Sequence, residues 1–231
     1  MDRERSISQA GRCATRCAVF VACAITLCGC PPPAPPNPDA EPPPDAMILG
    51  RVVVELGGAA ETLEDDVVLE RLRLGVGEVR AHNDRGGALD PSRSDVGVVD
   101  VTSAWARVEL EGAVPATYSH VSVTLAGGPA LELRFVDEGV TYEVITAGPI
   151  AADVRCDLPI ALPPAGLLAL RASLDLGEIH AALREGTLPA PVDGVVRVDA
   201  TSAPAVIADV EARVREHWQI DCGDDDDGDD G

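Results

Sequence analysis

The side chains with the widest chemical scope in this 231-residue chain are four histidines, two isolated cysteines and an acidic terminus. Cys156 and Cys222 stand far from the other five cysteines, which all fall within the first thirty residues. In an oxidising compartment the pair could bond, closing a long loop and adding about 4 kcal/mol on chain-entropy grounds. Cys156 also sits on the apolar phase of its segment, so a small core residue is the competing reading. The terminus, DCGDDDDGDDG, carries seven aspartates between Asp221 and Asp230. The oxygens of Asp224, Asp225, Asp226, Asp227, Asp229 and Asp230 suit weak Ca²⁺ binding. The run lacks the alternating ligands, sixth-position glycine and closing glutamate of an EF-type loop. A solvated, disordered tail is therefore the expectation.

His82, His120, His180 and His217 lie in separate segments. Surface or hydrogen-bonded structural histidine is preferred over a metal site, although folding could unite two of them. There is no Gly-x-Ser-x-Gly elbow, no His-Glu-x-x-His and no phosphate-cradling glycine loop with a lysine. Carboxylate pairs are so numerous that no acid and base can be singled out for glycoside chemistry. No catalytic residue, resident metal or cofactor is expected.

Charge narrows the partners. The formal net charge is −21, from 39 acidic and 18 basic residues, and every basic residue is arginine. Nucleic acid is excluded, because its binding is dominated by cations neutralising phosphates. A polybasic grip on anionic headgroups is excluded for the same reason. The absence of lysine, beside abundant Ala, Gly, Val, Asp and Pro, reads as coding bias rather than function.

The N-terminal segment reads as an address. Arg3, Arg5, Arg12 and Arg16 precede an uncharged apolar stretch, CAVFVACAITLCG, at residues 17–29. That stretch is too short to span a bilayer as a helix, which takes roughly 20 residues, but it fits the apolar region of a secretory signal. Leu27-Cys28-Gly29-Cys30 resembles the lipobox of bacterial lipoproteins, departing from the usual pattern only in Cys28. The resemblance implies a signal peptide over 1–29 and acylation of Cys30. Two or more acyl chains make such attachment effectively lasting. It further implies a cell-envelope location, with Pro31 favouring the outer membrane of a Gram-negative bacterium. Nine of the sixteen residues at 31–46 are proline. Such a spacer favours polyproline II and, at about 3.1 Å per residue, reaches roughly 50 Å.

From residue 47 to 220 the pattern is that of strands. ARVEL places Ala106, Val108 and Leu110 on one face, and SHVSVTL places Val121, Val123 and Leu125 inward with His120, Ser122 and Thr124 outward. LELRF, VRCDLPIAL and LLALRASLDL alternate likewise. One dry and one wet side per strand predicts an antiparallel β-sandwich. In VVLERLRLGVGEVRAH the apolar phase slips near Gly75 and Gly77, where a bulge is expected. Pro159 places its strand at an edge or in an irregular stretch. GEIHAAL predicts a short helical turn. TSAPAVIADVEARVREHW predicts a C-terminal α-helix from about Ala203 to His217, N-capped by Ser202. The acidic tail then occupies 221–231.

The succession VVLERLRLGVGEVRAHND, VVDVTSA, GAVPATYSHVSVTL and LLALRASLDLGEIHAAL resembles an uncharacterised domain recurrent in bacterial envelope lipoproteins. The resemblance spans roughly residues 50–183, and Pro115 to Tyr118 is its most specific piece. It implies an immunoglobulin-like or transthyretin-like sandwich and assigns no activity. The leading expectation is a lipid-anchored envelope protein with a non-catalytic binding or structural role. Its partners would be the membrane through Cys30 and an envelope protein or glycan, with oligomeric state left open. A carbohydrate- or peptide-binding module is the alternative, with Trp105 and Tyr118 as candidate stacking aromatics. A hydrolase with an unrecognised site is the second alternative.

Overall fold

The computed structural model describes residues 48–222. The signal segment with Leu27, Cys28, Gly29 and Cys30, the proline spacer and the aspartates from Asp224 to Asp230 lie outside the described residues. Chain order is β1 (Gly50–Ala59), β2 (Val68–Asn83), β3 (Ser92–Asp100), β4 (Ala106–Ala113), β5 (Ala116–Leu125), β6 (Leu131–Asp137) and β7 (Val140–Thr146). There follow β8 (Ile150–Leu162), β9 (Leu167–Asp175), α1 (Leu176–Glu185), β10 (Val195–Val198), α2 (Pro204–Glu216) and β11 (Trp218–Asp221). The described chain is thus mainly β, with a helix near its C-terminal end.

The strands form two sheets. The smaller runs β11-β9-β1-β4, and the larger runs β10-β7-β6-β2-β5-β8 with β3 also on β2. Inward residues of both join one core, in which Val54, Leu56, Leu72, Leu125, Phe135, Leu170 and Leu174 are almost wholly enclosed. Full burial of each such side chain contributes about 1.5–3 kcal/mol, so the alternating pattern is the main force holding the sheets face to face. The pairing is not purely antiparallel. β1 runs parallel to β9, and β10 runs parallel to β7. Parallel neighbours need long crossovers, and the intervening strands and α1 supply them.

β2 is the hub of the larger sheet. β3 and β5 both pair with the stretch from Val76 to Arg80, so they occupy opposite edges. β3 and β6 both pair with Arg73 and Leu74, so they too are opposed. β5 and β6 therefore follow one another along a single edge of β2. The break between them is the 126–130 connection, which closes on β2 at Gly75. Gly75 donates to the Ala130 carbonyl at 2.9 Å and accepts from Ala126 at 2.7 Å. A Cβ at Gly75 would collide with the carbonyls of Pro129 and Ala126. One step on, both ladders shift register between Val76 and Glu78, and the buried set passes from Leu72, Leu74 and Val76 to Val79 and Ala81. The bulge lies at Gly77, which accounts for the phase slip in the sequence.

β8 lies at the free edge beyond β5, and Pro159 falls within it. Its register with β5 jumps between Tyr118↔Ile160 and His120↔Arg155, so four residues, 156–159, oppose Ser119 alone. This irregularity turns Leu158 out to 67% exposure and breaks the uniform alternation that VRCDLPIAL suggests.

The region around GEIHAAL is a full helix rather than a turn, because Asp175 caps it by accepting the Glu178 N–H at 3.2 Å. α2 buries Val206, Ile207, Val210 and Val214 and packs on β7, β8 and α1. Its N-cap is Ala203, with Pro204 opening the helix. Ser202 has another duty: its hydroxyl accepts from Asp199 N at 2.9 Å and donates to the Arg197 carbonyl at 2.8 Å. Arg213 binds the two helices together through Glu178 at 2.7 Å and Glu185 at 2.8 Å. Beyond α2 the chain adds β11 to the smaller sheet, antiparallel to β9.

Candidate functional site

The groups that converge most closely lie on the outward face of the larger sheet. Outward phase on β2 brings up His82 and the same phase on β5 brings up His120, and the register sets the two directly opposite one another. Their rings stack with centroids 4.1 Å apart and planes inclined by 8°. β8 adds Asp153, which pairs with Ser122, two residues from His120 along β5. Ligand atoms of His82, His120 and Asp153 all lie within 4.8 Å of one another.

Each imidazole is oriented. The β2–β3 connection folds back so that Asp90, its side chain only 3% exposed, meets His82 Nδ1 at 2.8 Å through Oδ2. Oδ1 of the same carboxylate accepts the Asn83 N–H at 2.9 Å. A carboxylate is an acceptor only, so the His82 nitrogen facing Asp90, Nδ1, is the one that donates. Nε2 faces the Ser122 hydroxyl at 2.9 Å. His120 Nδ1 contacts the Ser119 hydroxyl at 2.9 Å. Its Nε2 stands 3.7 Å from Asp153 Oδ1, beyond hydrogen-bonding range. Burial, then the adjoining His82, pushes the His120 pKa below the ordinary histidine value. The shift favours the neutral form of His120 over the charged one.

Scattering in sequence thus gives way to juxtaposition for two of the four histidines. The missed signal was outward phase shared by His82 and His120 on neighbouring strands. The other two do separate work. His180 on α1 is buried, meets Asp137 Oδ2 at 3.0 Å and stands edge-on to Phe135. His217 ends α2, its N–H donating to the Arg213 carbonyl at 2.8 Å.

Cys156 and Cys222 form a disulfide with Cα atoms 5.9 Å apart, tying the end of β11 to the irregular stretch of β8. Trp105 is 44% exposed beside a depression of about 290 Å³ lined also by Glu61, Arg171, Ser173 and Gln219. Its ring lies on Gly57, where a Cβ would strike it, and the Arg171 guanidinium stands 5.7 Å from its centre. Tyr118 cannot serve as a stacking platform. It is fully buried, and its hydroxyl donates to the Val114 carbonyl at 3.1 Å. Among the described residues, no helix is long and apolar enough to cross a membrane. The chain matches no protein-family model, no curated protein and no solved structure.

Proposed function

We propose that this chain is a lipid-anchored protein of the cell envelope, probing its surroundings with a sandwich domain carried on a proline spacer, in a non-catalytic binding or structural role. Cys30 is the acylated residue in this reading, and the outer membrane of a Gram-negative bacterium is its location. The observation that carries it is the Cys156–Cys222 disulfide. Such bonds persist outside the reducing cytosol, in agreement with an export signal ending at Leu27-Cys28-Gly29-Cys30. An immunoglobulin-like sandwich is the finer fold proposed. Its support is Tyr118, near the start of β5, hydrogen-bonded to the backbone four residues upstream, an arrangement known as a tyrosine corner in that class. The test is Cys30→Ser followed by membrane fractionation. The variant should move to the soluble fraction, and unchanged sedimentation with membranes would remove the anchor from the account.

A second reading, a carbohydrate- or peptide-binding module, draws on the half-exposed Trp105 in its polar depression. Exposed aromatics of this kind stack on sugar faces and peptide side chains. A glycan and peptidoglycan array should then show binding by the parent that Trp105→Ala loses. Equal signals from both would exclude Trp105 from any such role.

A further inference from the structure

We infer that His82, His120 and Asp153 form a binding site for a borderline divalent transition cation of the Zn²⁺ type, oriented from behind by Asp90. The inference stands whether or not Cys30 is acylated.

Three features make this more than a chance cluster. The donor set is two imidazoles and one carboxylate, which suits Zn²⁺, Cu²⁺ or Ni²⁺ and is a poor set for Ca²⁺ or Mg²⁺. The donors come from three adjacent strands, β2, β5 and β8, of one hydrogen-bonded sheet. Their backbone positions are therefore fixed, and the adjustment needed is in side-chain torsions: one of the two stacked imidazoles must rotate out of its parallel alignment so that both ring planes contain the ion. The separations are also near those of a filled site. Ligands on a tetrahedral zinc at about 2.0–2.1 Å stand about 3.3 Å apart. The 3.7 Å gap between His120 Nε2 and Asp153 Oδ1 is close to that, and the whole triad falls within 4.8 Å.

The most specific feature lies behind the ligands. A metal-binding histidine typically donates its remote N–H to a carboxylate or carbonyl, which fixes the tautomer and raises the basicity of the ligating nitrogen. Asp90 stands in that relation to His82, at 2.8 Å and almost completely buried. The same carboxylate also accepts the Asn83 N–H, so its position behind His82 is fixed by the backbone of β2. Ser122, now on His82 Nε2, turns away by rotating one torsion. Arg155 is 77% exposed and 3.7 Å from Asp153, an ion pair of the weak, solvent-screened kind that releases its carboxylate at little cost. Three protein donors leave a coordination position for water or a donor from a partner.

The test is titration of the full-length chain with Zn²⁺ in a calorimeter, run in parallel on His82→Ala/His120→Ala, Asp153→Asn and Asp90→Asn. Every chain keeps the aspartate tail and the N-terminal cysteines, so their contribution cancels between samples. The double variant should lose one bound equivalent, and Asp153→Asn should weaken that equivalent at least tenfold. Asp90→Asn touches no metal yet should weaken it about 10–100-fold, the usual effect of removing an outer-shell partner. Equal stoichiometry and affinity in parent and double variant overturn the site. An undiminished affinity in Asp90→Asn removes the positioning role. Zinc-edge X-ray absorption on the parent at one equivalent, with its free thiols alkylated beforehand, needs no variant to fold. Two imidazoles in the coordination shell support the assignment, and a shell without imidazole overturns it.

Discussion

The Tyr118 hydroxyl donates to the carbonyl of Val114, four residues upstream, across 3.1 Å in an environment closed to solvent. Its phenol ring helps fill the core between the sheets while its oxygen fastens the turn that separates β4 from β5. Burial pushes the phenol pKa above its ordinary value, so the group remains a donor throughout the physiological range.

Tyr118→Phe keeps the ring and deletes the bond, leaving a carbonyl of a nearly buried residue without its partner. The expected loss is about 1–3 kcal/mol, the cost of an unsatisfied buried polar group. It should be read as a lower urea midpoint with an unchanged slope. Tyr118→Ala adds a cavity and should cost about 3–5 kcal/mol. A midpoint unmoved by Tyr118→Phe would mean that the hydroxyl does not fasten the turn.

How far these features were legible depended on whether the governing interaction was local. Period two in β6, in β9 and in β5 from Val121 to Leu125, and the i, i+4 valines of α2, are local, and each of these buried sets follows them. The slip at Gly77 was visible because a bulge reverses alternation within one strand. Register between strands is not local. Nothing in the sequence shows that β5 and β6 share one edge of β2, or that four residues of β8 oppose Ser119. For that reason the alternation of VRCDLPIAL puts Leu158 on the wrong side, and Tyr118, which shares the phase of His120, Ser122 and Thr124, reads as outward although the register break at Ser119 turns it into the core. The histidine pair is the sharpest case. Each ring's outward face was readable, while their contact depends on the alignment of His82 with His120.

The Cys156–Cys222 bond closes a loop with a sequence separation of 66 around α1, β10 and α2. β11 is only four residues long and pairs with β9 alone, so the bond should be what keeps this edge strand in place. Cys222→Ser is expected to lower stability by about 2–4 kcal/mol and to speed amide exchange across Trp218–Asp221. Cys156→Ser should match it, and the double variant should be no worse than either, since all three remove one bond. Additive losses would show that the two sulfurs contribute separately, as packed thiols.

His120 supplies the pH dependence to expect. The groups around it are His82 on β2, Ser119 on its own strand, Asp153 and Arg155 on β8, and Asp90 behind His82. Burial and the adjoining His82 lower its pKa in the folded chain, whereas in the unfolded chain it returns to about 6.5. As pH falls through 6.5 the unfolded chain takes up this proton first, so stability declines from there until the folded pKa is passed and then levels off. Above about 6.5 both states are neutral and this group adds no slope. Urea midpoints of the metal-free chain should therefore fall between pH 7.5 and 5.5, and His120→Gln should flatten the decline, in work carried out with a chelator present. A proton NMR titration should place the midpoint of the His120 imidazole below the free value. If His120→Gln leaves the slope intact, the acid sensitivity comes from another group.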